Sequence, residues 1–410
     1  MRAGSDHKEA ISGGHGAVAF PPTSDPMDTR MSCLHAHADL PGGNASLIRV
    51  GEAPPSVSFM PGPKQGPEAL WFHLRIENRG CSTPTVELRL EQPGNLLGGR
   101  LPARIRPVIR VDGEAWGRLE PGRTVVHADG CETAVWTLPT PVTGCDIAFC
   151  YPYGEAELNA LVADLPGWID RTIGVSENGR AVRRLANRPG DPAIRPPGVF
   201  LLARQHSGET PGSWVLDGFL RRIQALGDSA PVVWAVPFVD ADGVADGHYG
   251  KDRHPWDFNR AWTPNAMRHE VVAVMKDAQR FASRCRPMLM IDLHAPGGFE
   301  DEGCYVFLPK AQDLPAAHAT SRPLGERLLA ALGPDAHAQG FHTASYWSRW
   351  PTPNAVEWFS RSIGCPAMTL ETPYQASQAG VFTIERYRDV GARLADALAD
   401  FGTQGPPSPP

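Results

Sequence analysis

A change of pattern near residue 150 constrains this chain more than any other feature. Before it, short apolar or alternating runs recur at roughly ten-residue spacing between turn residues. They are "SLIRVGE", "SVSFMPG", "LWFHLRIENRG", "TVELRLEQPG", "RPVIRVDGE", "RTVVHADG", "TAVWTLPT" and "CDIAFCYPY". In "WFHLRIE" the apolar Trp71, Leu74 and Ile76 are interleaved with polar neighbours, which suits a half-buried strand. Short strands punctuated by Gly and Pro, with no helical period, predict an all-β antiparallel sandwich domain over residues 43–150. Residues 1–42 are rich in Gly, Pro, Ser and Asp and read as a flexible leader.

After Tyr151 strands alternate with helices. "EAELNALVADL" reads as a helix, and "RTIGVSENGRAVRRLAN" as a hairpin turning at Asn178-Gly179. "GVFLLARQ", "PVVWAVPFVD", "PMLMIDLH" and "PAMTLET" are continuous apolar runs, as expected of strands covered on both faces. Thr210 can cap a helix with Pro211 in its first turn, and Trp214, Leu216, Phe219, Leu220 and Ile223 form its stripe. Thr263-Pro264 predicts a second start, with Met267, Val271, Val274, Met275, Ala278 and Phe281 on one face. "TIERYRDVGARLADALADF" closes the pattern as an amphipathic helix. The fold class expected for residues 151–402 is α/β, a mixed, largely parallel sheet flanked by helices. Residues 403–410 read as a disordered tail.

Composition excludes several partners. The 410 residues are 42% hydrophobic and 20% charged, a globular balance, and a net charge of −6 offers no basic face to nucleic acid. No apolar stretch approaches the roughly 18 residues of a membrane span. The N-terminal "MRAGSDHKEAISGGHG" has no apolar h-region, so a signal peptide is not expected. The 8 cysteines are scattered without a C-x-x-C pair, which favours reduced thiols and a cytoplasmic protein. Cys33-x-His35-x-His37 is the one local cluster of metal-binding residue types in the first half.

Open α/β sheets bind ligands beyond the carboxyl ends of their strands. His206 follows one apolar strand, His294 ends another in "MIDLHAPGG", and Glu371 ends a third in "MTLETPY". His206-x-x-Glu209 with His294 makes a His2Glu set, which holds zinc while leaving a fourth position open. Glu371 is then free to act as a general base. The loop "VDADGVADGHYGKDRHPWDFNRAW" supplies Arg253, Asn259 and Arg260, donors suited to a free carboxylate.

The ordered set "RQHSGE", "VDADGV", "DFNRAW", "IDLHA" and "TLETPY" resembles the zinc metallocarboxypeptidases over roughly residues 150–402. The β region leading into "CYPYGEAEL" is similar to the cytosolic carboxypeptidase subgroup, whose members carry an N-terminal β-sandwich. The resemblance implies one Zn2+ on His206, Glu209 and His294, with Glu371 as base and proton shuttle. It implies that Asn259 and Arg260 grip the terminal carboxylate of a peptide or protein, that Arg253 stabilises the oxyanion, and that Asp257 orients His206. Tyr346 matches the family's mobile active-site tyrosine, with Tyr374 the second choice. The chain departs from the family at Ser207, at Asp240-Ala241-Asp242-Gly243 and at Phe258, none of them a ligand or catalytic position. Acidic terminal residues would need a cation in the specificity pocket, for which Arg349 and Arg361 are candidates. Two other readings are an amidase of the same fold acting on N-acyl amino acids or another small amide, and a non-catalytic zinc- or peptide-binding module.

Overall fold

The computed structural model describes residues 32–97, 99, 104–341 and 350–404. Among the described residues, ten strands precede the first α-helix: β1 (Leu34–His37), β2 (Ser46–Glu52), β3 (Pro55–Met60), β4 (His73–Asn78), β5 (Thr85–Glu91), β6 (Val108–Val111), β7 (Gly117–Arg118), β8 (Arg123–Val126), β9 (Glu132–Pro139) and β10 (Gly144–Ala148). They form two five-stranded sheets, ordered β1-β4-β10-β6-β7 and β2-β3-β5-β9-β8. Period-two alternation sends Leu74 and Ile76 of β4 into the core and leaves His73, Arg75 and Glu77 on the other face. Val57, Phe59, Leu88 and Leu90 of one sheet and Leu74, Ile76 and Ile147 of the other belong to one apolar cluster.

Two expectations change here. The pairing is not wholly antiparallel, because β3 and β5 run parallel: the chain between them passes through β4 in the other sheet. Strand β1 lies inside the stretch expected as a leader. Its four residues pair with β4 across Leu34↔Asn78 to His37↔Arg75, a partner that a local reading of "CLHAHAD" cannot supply.

The second region contains α1 (Glu155–Ala163), β11 (Ile169–Val175), β12 (Ala181–Ala186), β13 (Pro197–Ala203), α2 (Thr210–Leu226), β14 (Val232–Val236), α3 (Ala241–Asp246), α4 (His269–Arg284), β15 (Arg286–His294), β16 (Cys304–Phe307), α5 (Pro315–Leu332), β17 (Ala336–Phe341), α6 (Ala355–Trp358), β18 (Ala367–Glu371), the ribbon β19 (Ala376–Ser377) and β20 (Gly380–Val381), and α7 (Ile384–Gln404). The eight-stranded sheet has the order β11-β12-β14-β13-β15-β18-β16-β17. Its four middle strands, β14-β13-β15-β18, are parallel, and antiparallel pairs flank them. This is the mixed, largely parallel sheet that the apolar runs imply. Two of these, β13 and β14, are buried from Gly198 to Ala203 and from Val232 to Val236. The apolar cluster of the β sheets continues into Val199, Leu201 and α2.

The second helix start differs from expectation. Helix α4 begins at His269, not at Thr263-Pro264, and Met267 lies outside it with 60% of its surface exposed. Val271, Val274, Ala278 and Phe281 keep the expected buried face. The intervening residues are held by other partners: Arg268 donates from Nε to Trp256 O at 2.8 Å and from Nη2 to His254 O at 3.0 Å.

Candidate metal centre

Parallel strands deliver the site. His294 and Glu371 end β15 and β18 and are register partners across that pair. Beyond β13, Arg204 takes a left-handed φ of 60° and turns the chain out of the sheet. The Arg204 guanidinium is buried and holds the turn, donating from Nε to Ser207 O at 2.7 Å and from Nη1 to Tyr153 O at 2.8 Å. The turn closes through Glu209 N to His206 O, 3.1 Å, so both side chains return to one point. Glu209 itself is the N-cap of α2, and Thr210 is the first helical residue rather than its cap. A carboxylate suits that place, because a helix N-terminus favours negative charge.

The three donors are buried together. His206 Nδ1 lies 2.9 Å from Glu209 Oε1, and His294 Nδ1 lies 2.7 Å from Glu209 Oε2. The imidazole centroids are 4.8 Å apart, and one ligand atom from each of the three residues lies within 4.8 Å of the others. The far nitrogen of each ring faces a carboxylate: His206 Nε2 to Asp257 Oδ2 at 3.2 Å, and His294 Nε2 to Asp292 Oδ2 at 2.9 Å. A ring that donates Nε2–H to a carboxylate presents Nδ1 as a lone pair, the arrangement of a metal-ligating histidine. Two imidazoles and one carboxylate, dry and oriented from behind, fit a zinc-type ion.

The electrostatics follow from this crowding. Burial alone would lower the His206 pKa, but Glu209 and Asp257 outweigh it and raise it to about 9. Burial would raise Glu209, yet His206 and His294 hold it well below the usual carboxylate range. Asp257 is brought down to about 2, with His206 overcoming its burial. Glu371 goes the other way. Burial, with Glu209 adding to it against His294, raises its carboxyl to about 7. Its Oε2 is inaccessible and has no hydrogen-bond partner among the described residues.

Asp257 also accepts from Asp252 N and Asn259 N, each at 2.7 Å, so it ties the loop to His206. Asn259 is buried, with Oδ1 accepting from Ala355 N at 3.0 Å and Nδ2 3.2 Å from His294 Nε2. Arg260 is half-buried and donates from Nη1 to Asn259 O at 2.7 Å. Arg253 is buried and ion-paired to Asp240, while its Nε donates to Gln65 Oε1 at 3.1 Å. Tyr346 and Arg349 lie outside the described residues. Tyr374 is fully buried against Phe149, with centroids 5.1 Å apart, and Arg361 is exposed.

Three neighbours escaped the sequence reading. Asp292 stands two residues before His294, a spacing that puts both on one face of β15, so D-x-H was the available signal. Gln65 reaches Arg253 from 188 positions away and left no local trace. The Lys251 ammonium has its pKa raised above the ordinary value, the coulombic effects of Tyr249, Glu209 and Glu371 outweighing burial.

No protein-family model matches the chain. It is 28% identical over 224 residues to cytosolic carboxypeptidase 2 of Danio rerio, covering 46% of this chain and 30% of that protein. It is 23% identical over 279 residues to cytosolic carboxypeptidase 3 of Bos taurus, covering 59% and 27%. The chain thus spans about a third or less of the length of these relatives. Among solved structures, a metallo-carboxypeptidase from Burkholderia cenocepacia superposes with a TM-score of 0.72 at 20% identity, covering 90% of this chain and 98% of the other. A metallo-carboxypeptidase from Pseudomonas aeruginosa, in complex with (2-guanidinoethylmercapto)succinic acid, gives 0.71 at 22% identity, covering 90% and 98%. At these identities the structural likeness is one of fold.

Proposed function

We propose that this chain, a member of the metallocarboxypeptidase family akin to the cytosolic carboxypeptidases, removes the C-terminal amino acid from peptides or proteins in the cytoplasm. One Zn2+ would be held by His206, Glu209 and His294. The observation that carries the reading is the buried His2Glu set with Glu371 on the neighbouring strand end. An ion in that place lowers the pKa of water and polarises a carbonyl.

The chain's own residues do the rest. Glu371, with a pKa raised to about 7, takes the proton of the attacking water and passes it to the leaving amine. Arg253, kept in place by Asp240 and Gln65, offers its charge to the developing oxyanion. Asn259 and Arg260 receive the substrate carboxylate, Asp257 orients His206, and Tyr346, outside the described residues, is assigned to substrate binding. We assign the strands from β1 to β10 to a β-sandwich domain, which takes in β1 from the stretch expected as a leader, and residues 151–402 to the catalytic domain.

A preference for acidic terminal residues is the finer part of the proposal. Its two candidate cations are Arg361, which is exposed, and Arg349, which lies outside the described residues. Release of C-terminal amino acids, measured in the zinc-loaded chain before and after chelation, tests the reading. Chelator-sensitive release is expected. Binding of zinc without any release, from any peptide, would leave the non-catalytic module.

A further inference from the structure

The residues that form the edge of the β1-β4-β10-β6-β7 sheet carry a second set of two histidines and a carboxylate. His35 and His37 are two apart on β1 and therefore share one face of the strand. Glu77 of β4 is the direct register partner of His35. His35 Nδ1 lies 3.1 Å from Glu77 Oε2, and His37 Nε2 lies 3.8 Å from Glu77 Oε1. The two rings are 5.4 Å apart, and one ligand atom from each residue falls within 4.8 Å of the others. The ladder from Leu34↔Asn78 to His37↔Arg75, closed by Arg79 N donating to Cys33 O at 2.8 Å, sets this spacing before any ligand arrives.

The side chains of His35, His37 and Glu77 are 43%, 27% and 36% exposed, so an ion can reach them and keep water on its remaining positions. Imidazole and carboxylate donors suit zinc, copper(II) and nickel rather than magnesium or calcium. One group opposes the ion. Arg79 Nη2 sits 3.2 Å from Glu77 Oε2, but its side chain is 44% exposed and exposed ion pairs are weak. The neighbouring Arg75 is already taken by Asp146, at 3.0 Å.

We propose that His35, His37 and Glu77 form a second, surface-accessible site for a zinc-type divalent ion, which ties the edge strand β1 to β4. The site needs neither Glu371 nor the buried cluster. It therefore stands or falls separately from the hydrolytic reading.

The test uses the full chain stripped of metal and titrated with Zn2+, with bound ions counted by equilibrium dialysis and elemental analysis. The expected result is two ions per chain, the surface site filling after the buried one. His35→Ala/His37→Ala should bind one ion and hydrolyse peptide as the parent does. Glu77→Gln, which keeps the side chain's shape, should weaken only the surface site, at least tenfold. Arg79→Ala should tighten it several-fold. His294→Ala should remove the other ion and leave this one. A parent chain whose ion count and affinities are the same in His35→Ala/His37→Ala and in Glu77→Gln overturns the proposal.

Discussion

The two clusters in this molecule use the same donors and differ in everything around them. In the buried one, His206 and His294 leave two separate strands of a parallel sheet, and each has its own carboxylate behind it, Asp257 or Asp292. At the surface, His35 and His37 are neighbours on one strand, share Glu77, and compete with Arg79 for it. Among the described residues, only the buried cluster has an ionisable group, Glu371, placed on the adjoining strand end and shifted toward neutrality. The donor set therefore decides which ion is held. Burial, orienting carboxylates and an adjacent base decide whether chemistry follows.

Changes at the buried cluster should dominate. Glu371→Gln is expected to retain one tightly bound zinc and lower kcat by roughly 10³-fold, the scale of a lost general base, as measured by terminal amino-acid release. Next in size, Asp257→Asn and Asp292→Asn should each weaken zinc binding at this site by roughly 10–100-fold, read in a competitive chelator titration. An equal loss for the surface ion would erase the distinction drawn between the clusters.

The pH dependence separates them further. The base must be unprotonated, so kcat/KM should fall about tenfold per pH unit on the acid side of the Glu371 pKa, which burial and Glu209 raise and a bound cation lowers. Stability of the metal-free chain runs the other way. His206 has a folded-state pKa of about 9 against an ordinary 6.5, so its contribution is complete below 6.5 and is lost as pH rises through 9. Calorimetry of the stripped chain should show the thermal midpoint falling between those values. Zinc should reverse that trend, because its ligands must be deprotonated. The smallest effect belongs to the surface: His35→Ala/His37→Ala, without metal, should alter stability by less than about 0.5 kcal/mol in urea melts.

What could be read in the sequence is what a short stretch determines by itself. "GVFLLARQHSGE" carries its strand, its turn and two ligands within a dozen residues, and "MIDLH" and "MTLET" each end a strand on the residue that matters. Their convergence required only that β13, β15 and β18 run parallel, which long apolar runs separated by helices imply. Strand β1 was lost because its reason is β4, about 40 positions onward. The start of α4 was misplaced because Arg268 is bound to Trp256 and His254 instead of extending a helix from Pro264. The support of Arg253 by Gln65 was invisible for the same reason. Local chemistry was legible; partners supplied by distant chain were not.

The central claim is that the buried cluster works on a free C-terminus. Mass spectrometry of one peptide in two forms, with a free and an amidated C-terminal carboxyl, incubated with the chain and one equivalent of zinc, tests it most directly. The account predicts stepwise loss of the terminal residue from the free form only. Equal hydrolysis of the amidated form, the behaviour of an amidase, would contradict it, as would an unchanged free peptide with the zinc bound at His206, Glu209 and His294.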